Sequence, residues 1–150
     1  MFVCENPTIT EAAEALGSRC APLVCVEGRP SVAAGLLLQE LRGAGSQLHY
    51  HDDFDWQGLA IARTIINSGA LPWRFGSADY RAGLALNPRP KPLPALPREA
   101  QAPWDLALVS TMRDHLMAVE EETVADLLLA DLAAGGPGTD STPSRYLKPD

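Results

Sequence analysis

Four short apolar runs, at residues 2–4, 21–26, 47–51 and 71–75, alternate with longer stretches whose apolar residues recur every three to four positions. Such alternation reads as strand, helix, strand, because a period of two suits a pleated strand and a period near 3.6 suits a helix. Residues 21–26 (APLVCV) are apolar without a break, as in a strand covered on both faces. Strands of that kind sit in parallel sheets joined by right-handed helical crossovers. The expected class is α/β, an open sheet of about four mostly parallel strands flanked by helices.

The helical stretches have readable ends. Ile9, Ala12, Ala13 and Leu16 mark a helix over residues 10–17, capped by Thr8 or Thr10 and stopped by Gly17. Ser31 caps the next, whose Ala34, Leu37, Leu38 and Leu41 share a face up to Arg42, with Gly43 and Gly45 following. Further helices are expected over residues 57–67, 78–86, 105–116 and 121–133, with residues 117–119 as an edge strand. Between them, residues 87–103 hold six prolines and are expected to run extended over the surface. One domain over residues 1–134 follows, and the Gly-, Pro- and Ser-rich residues 135–150 read as an unstructured tail.

Composition narrows the function. With 46% hydrophobic residues the 150-residue chain can bury one core, and its formal charge of −7 repels polyanions. Broad nucleic-acid-binding surface is therefore expected on another domain or subunit. Cys4, Cys20 and Cys25 form no Cys-x-x-Cys pair and read as reduced, mostly buried thiols. No apolar stretch is long enough for a membrane span and no signal peptide is evident, so a cytoplasmic location is expected. A first strand that starts at residue 2 suggests a longer protein continuing upstream.

The chemistry concentrates in acids at strand ends. Glu5 ends the first strand, and Asp52, Asp53 and Asp55 follow the third. In a strand order of 2-1-3-4 these two strands are neighbours and the winding reverses between them, where open sheets place their sites. Asp53 and Asp55 can offer hard oxygen ligands to Mg²⁺ or Mn²⁺, with Glu5 as a further ligand or as general base. The simpler alternative is a solvated turn that caps the helix beginning near Gln57, and spacing alone weighs the two evenly.

Other motifs compete less well. His49-Tyr50-His51-Asp52-Asp53 begins the His-x-His-x-Asp pattern of binuclear zinc hydrolases, but residue 54 is Phe where the pattern has His, and only His115 remains downstream to ligate. Asp53-Phe54-Asp55 is similar to the nucleophile loop of haloacid-dehalogenase phosphatases, which follows the first strand rather than the third. Glu120-Glu121-Glu122 reads first as an acidic helix start, with Glu121 or Glu122 as secondary metal ligands. Gly28 and Arg29 open a helix in a geometry that can hold phosphate. Trp56, Trp73 and Trp104 read as core or loop anchors.

The ordered set Val3-Cys4-Glu5-Asn6, then Asp53-Phe54-Asp55-Trp56-Gln57-Gly58, resembles the Toprim domain of primases and topoisomerases. More closely, residues 2 to about 132 resemble the C-terminal domain of the Wadjet JetD nuclease family, through Leu23-Val24-Cys25, Gly28, Pro30 and the Glu-rich turn before Leu127. The resemblance implies a Toprim-like fold and a Mg²⁺-dependent nuclease that cleaves DNA in bacterial plasmid defence, with an SMC-like ATPase complex as partner. It implies Glu5 as acid/base or metal residue, Asp53 and Asp55 as metal ligands, and Glu121 or Glu122 in support. It also implies hydrolysis rather than a covalent intermediate, since no upstream domain with a catalytic Tyr is present in the sequence. The rival from another class is a non-catalytic Toprim-like scaffold that binds partner subunits.

Overall fold

The computed structural model describes residues 1–95 and 97–136; residues 137–150, most of the expected tail, lie outside the described residues. Four strands, β1 (Phe2–Cys4), β2 (Leu23–Cys25), β3 (His49–Tyr50) and β4 (Leu71–Pro72), form a sheet of order β2-β1-β3-β4. Every pairing is parallel, with Val3 opposite Val24 and Tyr50, and Tyr50 opposite Pro72. Pro72 cannot donate to a ladder, and its place on an edge strand is where that loss costs least. The strands are short, but hydrogen bonds such as His51 N–H to Val3 O (3.0 Å) and Trp73 N–H to Tyr50 O (2.8 Å) carry the pairing beyond them.

Among the described residues six α-helices flank the sheet: α1 (Pro7–Ala13), α2 (Val32–Gly43), α3 (Trp56–Asn67), α4 (Ser77–Leu86), α5 (Leu108–His115) and α6 (Ala125–Ala134). β1 is wholly buried, as its apolar run demands, and packs with Ile9, Leu59, Ala62, Ile65, Trp73 and Leu132 in one core. Beyond β4, Phe54 stacks on Phe75 at 4.6 Å and Phe75 on Trp104 at 5.8 Å, so aromatic rings fill the space between α3, α4 and α5.

The three tryptophans act as anchors, as expected. Trp56 Nε1–H donates to Pro94 O (2.9 Å) and Trp104 Nε1–H to Phe75 O (2.6 Å), which pin the middle of the proline-rich connection and the residue that follows it. Trp73 Nε1–H donates to Asp131 Oδ2 (2.8 Å), and Arg74 grips the same carboxylate through Nε (2.7 Å) and a terminal nitrogen (2.8 Å). This pairing ties α6 to the end of β4.

Several boundaries differ from expectation for local reasons. The first helix begins at Pro7, with Asn6 rather than a threonine as its cap, and gives way at Glu14–Arg19 to a 3₁₀ segment broken by Gly17 at φ 54°. Residues 117–119 are not a strand of the sheet; they make isolated antiparallel bridges, Val119 with Phe54 and Met117 with Pro92. The proline segment thus does take part in pairing, through carbonyls and through the N–H of Leu93, which prolines leave free to bond. The last helical stretch splits into a 3₁₀ turn, Glu121–Val124, and α6, because Glu121 is drawn inward.

Candidate functional site

Three segments meet at the carboxyl ends of β1 and β3. β1 delivers Glu5, the loop after β3 delivers Asp52, Asp53 and Asp55, and the 3₁₀ turn after Val119 delivers Glu121 and Glu122. The crevice between β1 and β3 is where the strand order reverses, the place that open parallel sheets use for sites.

Glu121 joins the three segments. Its side chain is fully buried and accepts the N–H groups of Glu5 (3.2 Å) and Asn6 (2.7 Å), while its own N–H donates to Asp53 Oδ1 (2.7 Å). Glu122 stays exposed at the rim and accepts from Asn6 Nδ2 (2.7 Å). The helix-start reading of the Glu-rich turn therefore fails for Glu121. Its carboxylate bonds to a distant strand end instead of complementing its own helix.

The loop after β3 divides its acids by role. Asp55 Oδ1 accepts Gly58 N–H (2.6 Å) and caps α3, so the capped-turn reading holds for this residue. Asp52 is buried, accepting from the Tyr50 hydroxyl (2.5 Å) and from Asp53 N–H (2.8 Å). Phe54 turns into the core between them. Gly58 is required by a close approach: a Cβ there would lie 2.1 Å from the Asp53 carbonyl oxygen and 2.9 Å from Asp52 Oδ1.

Glu5, Asp52, Asp53 and Asp55 line one recess of about 100 Å³, closed by Gln57, Gly58 and Ile61. The three acids singled out in the sequence are thus brought together, and Asp52 joins them. Spacing hid Asp52 because an extended strand would point it away from Asp53; the available signal was its place two residues after Tyr50, whose hydroxyl it accepts.

Crowding perturbs these carboxyls. Burial raises Asp53 to about 6 against the Glu121 N–H bond, with repulsion from Asp55 and Glu5 adding to it. Burial likewise lifts Asp52 to about 7 despite its bonds from Tyr50 and Asp53 N–H. Glu121 rises to about 9, driven by burial and by Asp52 and Asp53, although two N–H bonds favour its anion. Glu5 is raised by burial, opposed by the Gly28 N–H, with Glu122 and Asp55 repelling it.

Acids held in this way fit a hard divalent cation, which would relieve both the burial cost and the mutual repulsion. Asp53 Oδ2 and Asp55 Oδ2 accept no hydrogen bond from the described residues, and the recess has room for an ion with retained waters. Among the described residues no three His, Cys, Asp or Glu side chains form a ready metal cage. Mg²⁺ does not need one, since it binds through one or two carboxylates, water and substrate phosphate.

The remaining expected positions fall elsewhere. Gly28, at φ 81°, turns its N–H toward the Glu5 carboxylate, so that amide supports an acid instead of facing a phosphate. Arg29 lines a neighbouring groove. His51 is buried, its Nδ1 2.8 Å from Trp73 O and its ring edge-on to Phe54, Trp73 and Phe75, and burial lowers it to about 4. His49 lies against Phe2, and neither histidine lines the recess, which removes the zinc-hydrolase reading.

Residues 1–132 match the family described as "Protein of unknown function C-terminus (DUF2399)". The chain belongs to the DUF2399 family. The match spans every acid of the recess together with Glu121 and Glu122, and runs into α6. No curated protein and no solved structure matches this DUF2399 domain.

Proposed function

We propose that this DUF2399 domain is a Toprim-type nuclease module that hydrolyses DNA phosphodiester bonds with Mg²⁺ or Mn²⁺. The observation that carries the reading is the convergence of Glu5, Asp53 and Asp55 on one recess at the switch point of a parallel sheet. Asp53 and Asp55 would hold the cation. When bound, it supplies charge neutralisation to the phosphate and orients the attacking and leaving oxygens.

The chain's own residues divide the remaining work. The Glu5 carboxylate, raised by burial at the edge of the recess, is suited to accept the proton of the attacking water. Glu121 is a positioning residue: it fixes the backbone of Glu5 and, through its own N–H, the Asp53 carboxylate. Gly28 N–H orients Glu5 from the β2 side.

The wider setting follows the JetD resemblance: DNA cleavage in plasmid defence, in the cytoplasm, with an SMC-like ATPase complex that brings the DNA. The net charge of −7 supports a partner that supplies basic surface. A non-catalytic scaffold is the second reading, favoured by Val32, Leu36 and Leu37, which stand exposed along α2.

Supercoiled plasmid incubated with the protein tests the proposal. Nicking in Mg²⁺ that stops with EDTA, and that drops at least about a hundredfold in the Asp53→Ala/Asp55→Ala variant, is the expected result. Equal nicking by wild type and variant, or none with either ion, removes the nuclease reading.

A further inference from the structure

A groove of about 580 Å³ lies between α2 and α3. Its floor is apolar and buried, formed by Leu38, Ile61 and Ile65, while Arg29, Arg42, Thr64 and Ser68 stand exposed along its rim. Ile61 also lines the acidic recess, so the two hollows adjoin across one side chain.

The charges of the groove are unusual for this chain. No acid lines it, although the whole chain carries −7. Neither Arg29 nor Arg42 has an ion pair or side-chain hydrogen bond among the described residues. Five other described cations are engaged, Arg74 with Asp131, Lys91 with Glu120, Arg113 with Asp114, Arg63 with Glu99 O and Arg81 with Thr111, while Arg19, Arg89 and Arg98 stand exposed outside the groove. The Arg42 guanidinium lies over Gly69, just past the end of α3, where a Cβ would come within 2.3 Å of its terminal nitrogen.

We propose that this groove holds the sugar–phosphate backbone of a DNA strand beside the acidic recess, with Arg29 and Arg42 as phosphate contacts. The proposal rests on the nuclease reading above and assigns the substrate's path. A nucleic-acid strand is the occupant that meets both hollows at once: it has one phosphodiester to present to the recess and flanking phosphates to present to the arginines. The Thr64 and Ser68 hydroxyls donate to Ala60 O (3.2 Å) and Ile65 O (2.7 Å) of α3, so the two arginines carry the phosphate contacts while the apolar floor faces sugar. An acidic peptide would satisfy the arginines but has no phosphodiester to present to the recess.

Binding of fluorescein-labelled oligonucleotide, single-stranded and duplex, to the full chain tests this, with Ca²⁺ replacing Mg²⁺ to prevent cutting. Arg29→Ala/Arg42→Ala is expected to lose about tenfold or more in affinity and to flatten the salt dependence by roughly 1.4 to 1.8 log units per log unit. Thr64→Glu, which adds a negative charge to the rim without removing a cation, should weaken binding as well. Arg113→Ala, at an exposed position on α5, should leave it unchanged.

Absence of binding by wild type, binding by the groove variants within about twofold of wild type, or equal competition by poly-glutamate would overturn the assignment. Groove variants that bind normally while plasmid is still nicked would remove the groove and leave the nuclease reading. Groove variants that lose binding while wild type never nicks would do the reverse.

Discussion

At the scale of single residues, one side chain can hold two roles that only substitution separates. Asp55 caps α3 through Oδ1 and leaves Oδ2 toward the recess. Asp55→Asn keeps the cap, so its thermal midpoint should stay near wild type while Mg²⁺ affinity, read by calorimetry, falls. Asp55→Ala should lose Mg²⁺ affinity and also about 1 kcal/mol of stability. Glu121 differs, because its carboxylate accepts two backbone N–H groups in the interior. Glu121→Ala leaves both without an acceptor and is expected to cost about 2–4 kcal/mol in urea unfolding, whereas Glu121→Gln retains an acceptor and should cost far less. An equal loss from both substitutions would show that the charge, not the hydrogen bonding, is what Glu121 supplies.

At the scale of elements, side-chain oxygens set where helices start and how they join. Asp105 accepts Ser77 N–H at the start of α4 (2.6 Å) and Ala107 N–H before α5 (2.9 Å), so one carboxylate clasps two helices. Burial alone would raise its pKa, but these bonds and the nearby Arg81 outweigh it and the net shift is downward from 3.8. A folded-state pKa below the unfolded one means that the stabilisation is present in full above about 4 and is lost as pH falls through the folded value. Asp105→Asn should therefore flatten the acid limb of the stability curve, measured by urea midpoints from pH 6 down to about pH 2. An unchanged acid limb would assign acid sensitivity to other carboxyls. The elements themselves were largely legible. Apolar period placed α2 and α3 within a residue or two, since Ser31 caps the first and Asp55 the second. Residues 117–119 misled because their apolar side chains serve isolated bridges that pin the 3₁₀ turn, and a bridge and a strand look alike over three residues.

At the scale of the whole molecule, the core and the site make opposite demands. The sheet buries apolar residues around β1, yet four acids are crowded at its carboxyl edge, a cost in stability that a bound cation would relieve. Mg²⁺ should consequently raise the melting temperature of wild type; at a hundredfold excess over its Kd the stabilisation is about 2.7 kcal/mol. Asp53→Ala/Asp55→Ala should melt at one temperature with or without Mg²⁺, and a wild type equally insensitive would speak against a metal site. Sequence by itself determined the α/β class and the strand ends that carry Glu5, Asp53 and Asp55, because hydrophobic period is a local property repeated along the chain, whereas the order β2-β1-β3-β4, assumed from the sequence, was decided by the strand pairing. Only the tertiary structure decided that Glu121, 116 residues from Glu5, fixes the strand ends, that Asp52 faces the recess, and that Arg29 turns away to a groove beside it. Those outcomes depend on which buried backbone N–H groups need an acceptor after the elements pack, and no spacing along the chain encodes that need.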